Sequence, residues 1–119
     1  MSYDNGTMSV YRFPAASVIA AATLGRIIGP RGKKGRLVEI SYIVTTGVTV
    51  AASNVIVGLA GTLAAYGTRA VAVAAADTGN NGATLVADHS IPANTIVTVG
   101  SAGGATAGAV DILVTILWE

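Results

Sequence analysis

The stretch Gly35 to Val44, GRLVEISYIV, is the segment that limits the fold most. Successive side chains of a strand point to opposite faces. A strand here puts Val38, Ile40, Tyr42 and Val44 on one apolar face, and Leu37, Glu39, Ser41 and Ile43 on a mixed one. Its β-branched residues suit a pleated surface. A second stretch, Ala109 to Trp118, behaves the same way: Val110, Ile112, Val114, Ile116 and Trp118 share one face, and Asp111 and Thr115 mark the other. A strand of this kind at the end of the sequence ties that end into a sheet.

Turn signals divide the rest of the chain. Met1 to Thr7 is polar, and residues 1–14 are expected to form an N-terminal arm ahead of a single β domain at 15–119. Within the arm, Ser9 to Phe13 suits a short strand that Pro14 ends or places at a sheet edge. Ser17 to Leu24 is compatible with a helix, through its alanines, or with a strand. Gly25 to Gly35 is expected to be a loop, because four glycines and Pro30 interrupt it. Ser53-Asn54 suggests a turn. Val55 to Ala60 reads as a strand with Gly58 as a bulge or a point of close approach. Thr68 to Ala75 alternates through Val71 and Val73. Asp77 to Gly82, DTGNNG, is a hairpin turn with Ala83 to Asp88 as the returning strand. A turn at Ser90 to Asn94, a strand at Thr95 to Val99 and a small-residue loop at Gly100 to Gly108 follow. About seven to nine short strands, with turn signals about every 8–12 residues, predict an all-β antiparallel sandwich, a jelly roll or a similar Greek key.

Composition bears on partners. Of 119 residues, 52% are apolar and 11% charged, against ~25% charged in an average soluble protein. So few charges imply that other subunits or a larger assembly cover part of the surface. The net charge is +1, which does not describe a polyelectrolyte binder. There is no cysteine, so disulfides, thiol nucleophiles and zinc-thiolate sites are excluded. Ile40 to Thr68 carries no charge and scores as borderline transmembrane. Its Asn54, its threonines and its period of two favour strands, and no membrane association is expected.

Five of the seven basic residues, Arg26, Arg31, Lys33, Lys34 and Arg36, fall in one short segment. We expect this segment to dock on an acidic protein surface. It fails the Walker A pattern, since Gly32-Lys33 is followed by Lys34. Gly29-Pro30-Arg31-Gly32 resembles the GxxG loop of a KH domain. That fold requires a helix directly after the loop, whereas a β pattern follows here. Asp88-His89-Ser90 cannot make a triad by adjacency, because neighbours in an extended segment point apart. Asp77 to Asp88 lacks the third-position oxygen ligand and the final Glu of a calcium loop. No carboxylate pair is held together by spacing, so acid–base catalysis has no candidates. No catalytic residue, cofactor or metal is expected. Glu39 and Asp111 are expected to pair with a basic residue or face solvent.

The run from Ile91 to Gly100 (IPANTIVTVG), the Gly/Ala/Ser/Thr loop to Gly108 and the strand from Ala109 resemble the jelly-roll decoration, or cement, proteins of tailed-phage heads. The organising strand and VIVGLAG fit the same style, so the likeness runs from Arg36 to Trp118. It implies a non-enzymatic virion protein, commonly a homotrimer, that sits on the outer capsid where major capsid subunits meet. The other readings are a head-fibre or tail-spike subunit, or a small carbohydrate- or nucleic-acid-binding module.

Overall fold

A computed structural model describes residues 7–19, 21–49, 53–59, 62–71, 79–80, 84–85, 90–105 and 107–119. Seven longer strands are present among these residues: β1 (Thr7–Ser17), β2 (Ala22–Ile28), β3 (Gly35–Thr49), β4 (Ser53–Leu59), β5 (Thr62–Val71), β9 (Ile96–Ser101) and β10 (Ala107–Trp118). Three two-residue strands lie between β5 and β9: β6 (Gly79–Asn80), β7 (Thr84–Leu85) and β8 (Ser90–Ile91).

Every pairing among the described residues is antiparallel. Sheet A has the order β1-β10-β3-β6, with β8 also on β3, and sheet B has the order β2-β9-β4-β5-β7. The pairings nest: β1 with β10, β2 with β9, β3 with β8, and β4 with β5. One long antiparallel hairpin has thus been rolled so that its arms alternate between two sheets, which is jelly-roll connectivity, one of the two arrangements the sequence left open.

The core lies between the sheets. From sheet A, Ile40, Tyr42, Val44, Val110, Ile112, Val114 and Ile116 point inward. Ile27, Val55, Val57, Val71, Val97 and Val99 meet them from sheet B. The alternation of β10 is complete: each of Val110, Ile112, Val114, Ile116 and Trp118 is buried, and the residues between them are half-buried.

Within residues 35–44, β3 departs from its simple alternation at one point. Leu37 is fully buried, whereas Val38 is 37% exposed, the reverse of what an unbroken strand gives. Ile116 pairs with Leu37 and Thr115 with Glu39, so Val38 is the extra residue of a β-bulge. The inserted residue exchanges the two faces, and Ile40, Tyr42 and Val44 remain inward.

Other expectations change too. Residues 7–14 do not form a free arm, since β1 runs through them and pairs with β10 from Thr7 to Ser17. Pro14 falls where that ladder shifts register between Phe13 and Ala16, on an edge strand, and there its missing N–H costs no ladder bond. The choice left open around residues 15–24 resolves into the end of β1 and the start of β2, with no helix among the described residues. Ser53-Asn54 is not a turn but the start of β4. The β4–β5 ladder shifts register between Val57 and Leu59, at the expected Gly58. Residues 79–80 leave the expected hairpin and pair with Tyr42 and Ile43 of sheet A, and Thr84–Leu85 returns to β5. The rest of the Asp77–Gly82 turn, with Asp88 and His89, lies outside the described residues.

The bulge makes a direct prediction. Leu37→Ala should lower stability by about 2–5 kcal/mol in urea denaturation, and Val38→Ala by less than about 1 kcal/mol. Equal losses would mean that the face exchange is absent.

Candidate docking surface at the basic end of the sandwich

The basic segment is shorter as a loop, and more ordered, than its glycines suggest. β2 continues to Ile28, where the ladder to β9 supplies hydrogen bonds to Gly25 through Ile28. The turn proper is residues 29–34. Gly25 is needed for close approach, because a Cβ there would run into the Phe13 ring.

Trp118, at the end of β10, organises the turn. Its indole is 2% exposed and lies against the backbones of Gly29 and Gly35, where an added Cβ would come within 2.5 Å of ring carbons. Its Nε1 donates to the Tyr11 hydroxyl of β1 at 3.0 Å. Lys34 and Glu119 exchange backbone hydrogen bonds of 2.7 and 3.1 Å. Lys33 N donates to Pro30 O at 3.1 Å, and Gly32 N donates to Asn94 Oδ1 at 3.1 Å. Gly32 has a φ of +76°, in the left-handed region that favours glycine. The turn is therefore fixed to β10 and to the β8–β9 connection.

The five basic residues do not share one face. Arg31, Lys33 and Lys34 lie in the turn, at the end of the sandwich, with Glu119 beside them. Arg26 projects from the outer face of sheet B, because its neighbour Ile27 is in the core. Arg36 projects from the outer face of sheet A, between the buried Gly35 and Leu37. The positive charge thus wraps around one end, from one sheet to the other. Two large apolar residues extend this surface: Ile28 and Ile96 pair across β2 and β9 and are 64% and 53% exposed. Period-two alternation around the buried Ile27 already implies that Ile28 faces outward.

Apart from Glu119, the other described charged groups lie elsewhere. Asp111 pairs with Arg12 at 2.7 Å on the outer face of sheet A, and Ser41 Oγ donates to Glu39 Oε1 at 2.6 Å. Arg69 lies opposite the buried Val55 and is therefore on an inner face, its guanidinium 5.9 Å from the centre of the Tyr42 ring, within cation–π range.

Two alternative chemistries lose support here. The GxxG turn joins two strands, not the two helices of a KH domain. The described aromatic side chains are buried or half-buried, so none forms an open stacking platform for sugar. No protein-family model, curated protein or solved structure matches the chain.

Trp118 is the only tryptophan, so its fluorescence reports on the turn directly. Gly29→Ala should displace the ring, shift its emission to the red and lower stability by about 1–3 kcal/mol. An unchanged emission maximum would show that the indole does not rest on Gly29.

Proposed function

We propose that this protein is a non-enzymatic virion component that binds the outer surface of a phage head, where it reinforces contacts between major capsid subunits. The observation that carries the reading is the basic turn. It is a short, exposed, cationic element pinned by Trp118, at one end of a sandwich whose sequence is otherwise poor in charge. A pre-ordered turn can meet carboxylates on a shell with little loss of conformational freedom. The jelly-roll connectivity and the likeness of Arg36 to Trp118 to head decoration proteins support the same function.

On this reading the protein works as a homotrimer on the capsid surface of the virion and assembles in the host cytoplasm. Arg31, Lys33 and Lys34 make the contact at the end of the sandwich, and Arg26 and Arg36 extend it along the two outer faces. No cofactor takes part and no nucleic acid is bound.

The test is co-sedimentation with purified empty heads of the phage that carries the gene. Replacing Arg31, Lys33 and Lys34 together with Ser should weaken attachment about 10–30-fold at ~0.1 M salt, and should flatten its dependence on salt. Attachment equal to that of the unaltered protein would sink the docking role of the turn. Light scattering that gave a long fibrous oligomer would favour a head-fibre or tail-spike subunit instead.

A further inference from the structure

A hollow of about 480 Å³ opens on the outer face of sheet B, toward the end of the β2–β9 ladder away from the basic turn. That volume lies within the range of ligand-binding clefts. Gly100 of β9 forms its floor, Thr23 of β2 and Ile56 of β4 flank it, and Ala21 and Ala102 lie at its rim. The hollow exists because position 100 has no side chain: a Cβ there would sit 2.8 Å from Ala22 O and 3.5 Å from Ile56 Cγ1.

Two observations distinguish the hollow from an ordinary surface dip. First, Thr98 lines it and is only 4% exposed, yet its hydroxyl has no hydrogen-bond partner among the described residues. A buried hydroxyl without a partner is costly, and rotation about its Cα–Cβ bond toward the hollow would let a bound polar group satisfy it. Second, Arg26 is the residue paired with Thr98 in the β2–β9 ladder, and it is exposed. Arg26 forms no ion pair with a described carboxylate. An apolar recess, one unpartnered hydroxyl and one cation are therefore adjacent, and the exposed Ile28–Ile96 pair continues toward the basic turn.

We propose that this hollow receives an apolar side chain from a loop of the capsid shell, with an adjacent carboxylate on Arg26 and a backbone or side-chain polar group on the Thr98 hydroxyl. This rests on the capsid-docking reading and adds to it an apolar contact, which salt does not screen, beside the ionic one at Arg26. Charge complementarity selects the occupant: a purely apolar partner would leave Arg26 unmatched, and a basic one would be repelled by it.

The experiment separates the two contributions by salt. At ~0.5 M NaCl the Debye length is only about 4–5 Å, so attachment by the turn is largely screened. Under those conditions Thr23→Leu, which fills the hollow, should reduce attachment to empty heads by about 10-fold or more. Thr98→Val, which removes the hydroxyl at nearly constant shape, should reduce it about 5-fold, and its urea midpoint should stay level or rise. The triple Ser variant of the turn should keep the attachment that remains at high salt. The chain has no cysteine, so Thr23→Cys supplies a unique thiol on this protein. Head binding should slow its maleimide labelling about 10-fold or more, whereas Ile43→Cys on the outer face of sheet A should label at its unbound rate. If Thr23→Leu and Thr98→Val attach normally at high salt, or the thiol at position 23 labels freely on heads, the hollow is not the contact and the turn alone docks. If the unaltered protein does not attach at any salt, the capsid-docking reading fails and this inference fails with it.

Discussion

The structure depends on the apolar stripe of β10. That strand lies between β1 and β3 in sheet A, so its backbone is bonded on both sides while Val110, Ile112, Val114 and Ile116 fill the space between the sheets. Burying such side chains contributes about 1.5–3 kcal/mol each, which makes this strand a principal source of cohesion. It joins the last strand of the sequence to the first and draws the ends of the rolled hairpin together. The smaller side chains of sheet B, chiefly valines, close over it.

The stripe ends in Trp118, and this connects the core to the surface proposed to dock. The indole is continuous with the buried face of β10 and also supports the basic turn through Gly29 and Gly35. The glycines in this segment therefore serve contact more than flexibility: two admit the indole and a third admits the Phe13 ring. A cationic loop that would lose much freedom on binding has been replaced by one already held in place. The same economy of side chains shapes the outer face of sheet B, where Gly100 leaves a recess beside Arg26.

The two outer faces differ in character. On sheet A, Arg12 and Asp111 satisfy each other, Glu39 accepts from Ser41, and Met8, Val10 and Ile43 are exposed among them. On sheet B, Arg26 has no described carboxylate partner and stands beside an unsatisfied hydroxyl. A low overall charge thus conceals a local imbalance along β2, from the recess past Arg26 to the isoleucine pair and the basic turn.

Sequence alone determined which side chains of β10 face the core, because a period of two is a property of the strand itself. The all-β class followed from turns that are local in the chain. Only the tertiary structure decided the features that depend on a partner strand. Val38 faces outward because pairing with β10 inserts it as a bulge. Gly25 to Ile28 is a strand because β9 supplies its hydrogen bonds, against the glycine content of the segment. Residues 7–14 are sheet and not arm because β10 offers them an edge. The five basic residues divide among two outer faces and one end because β2 and β3 belong to opposite sheets. The recess is formed by residues of β2, β4 and β9 that are far apart in the chain, and no local pattern could have marked it. Register and pairing are contacts between distant segments, so their consequences appear only when the chain has folded.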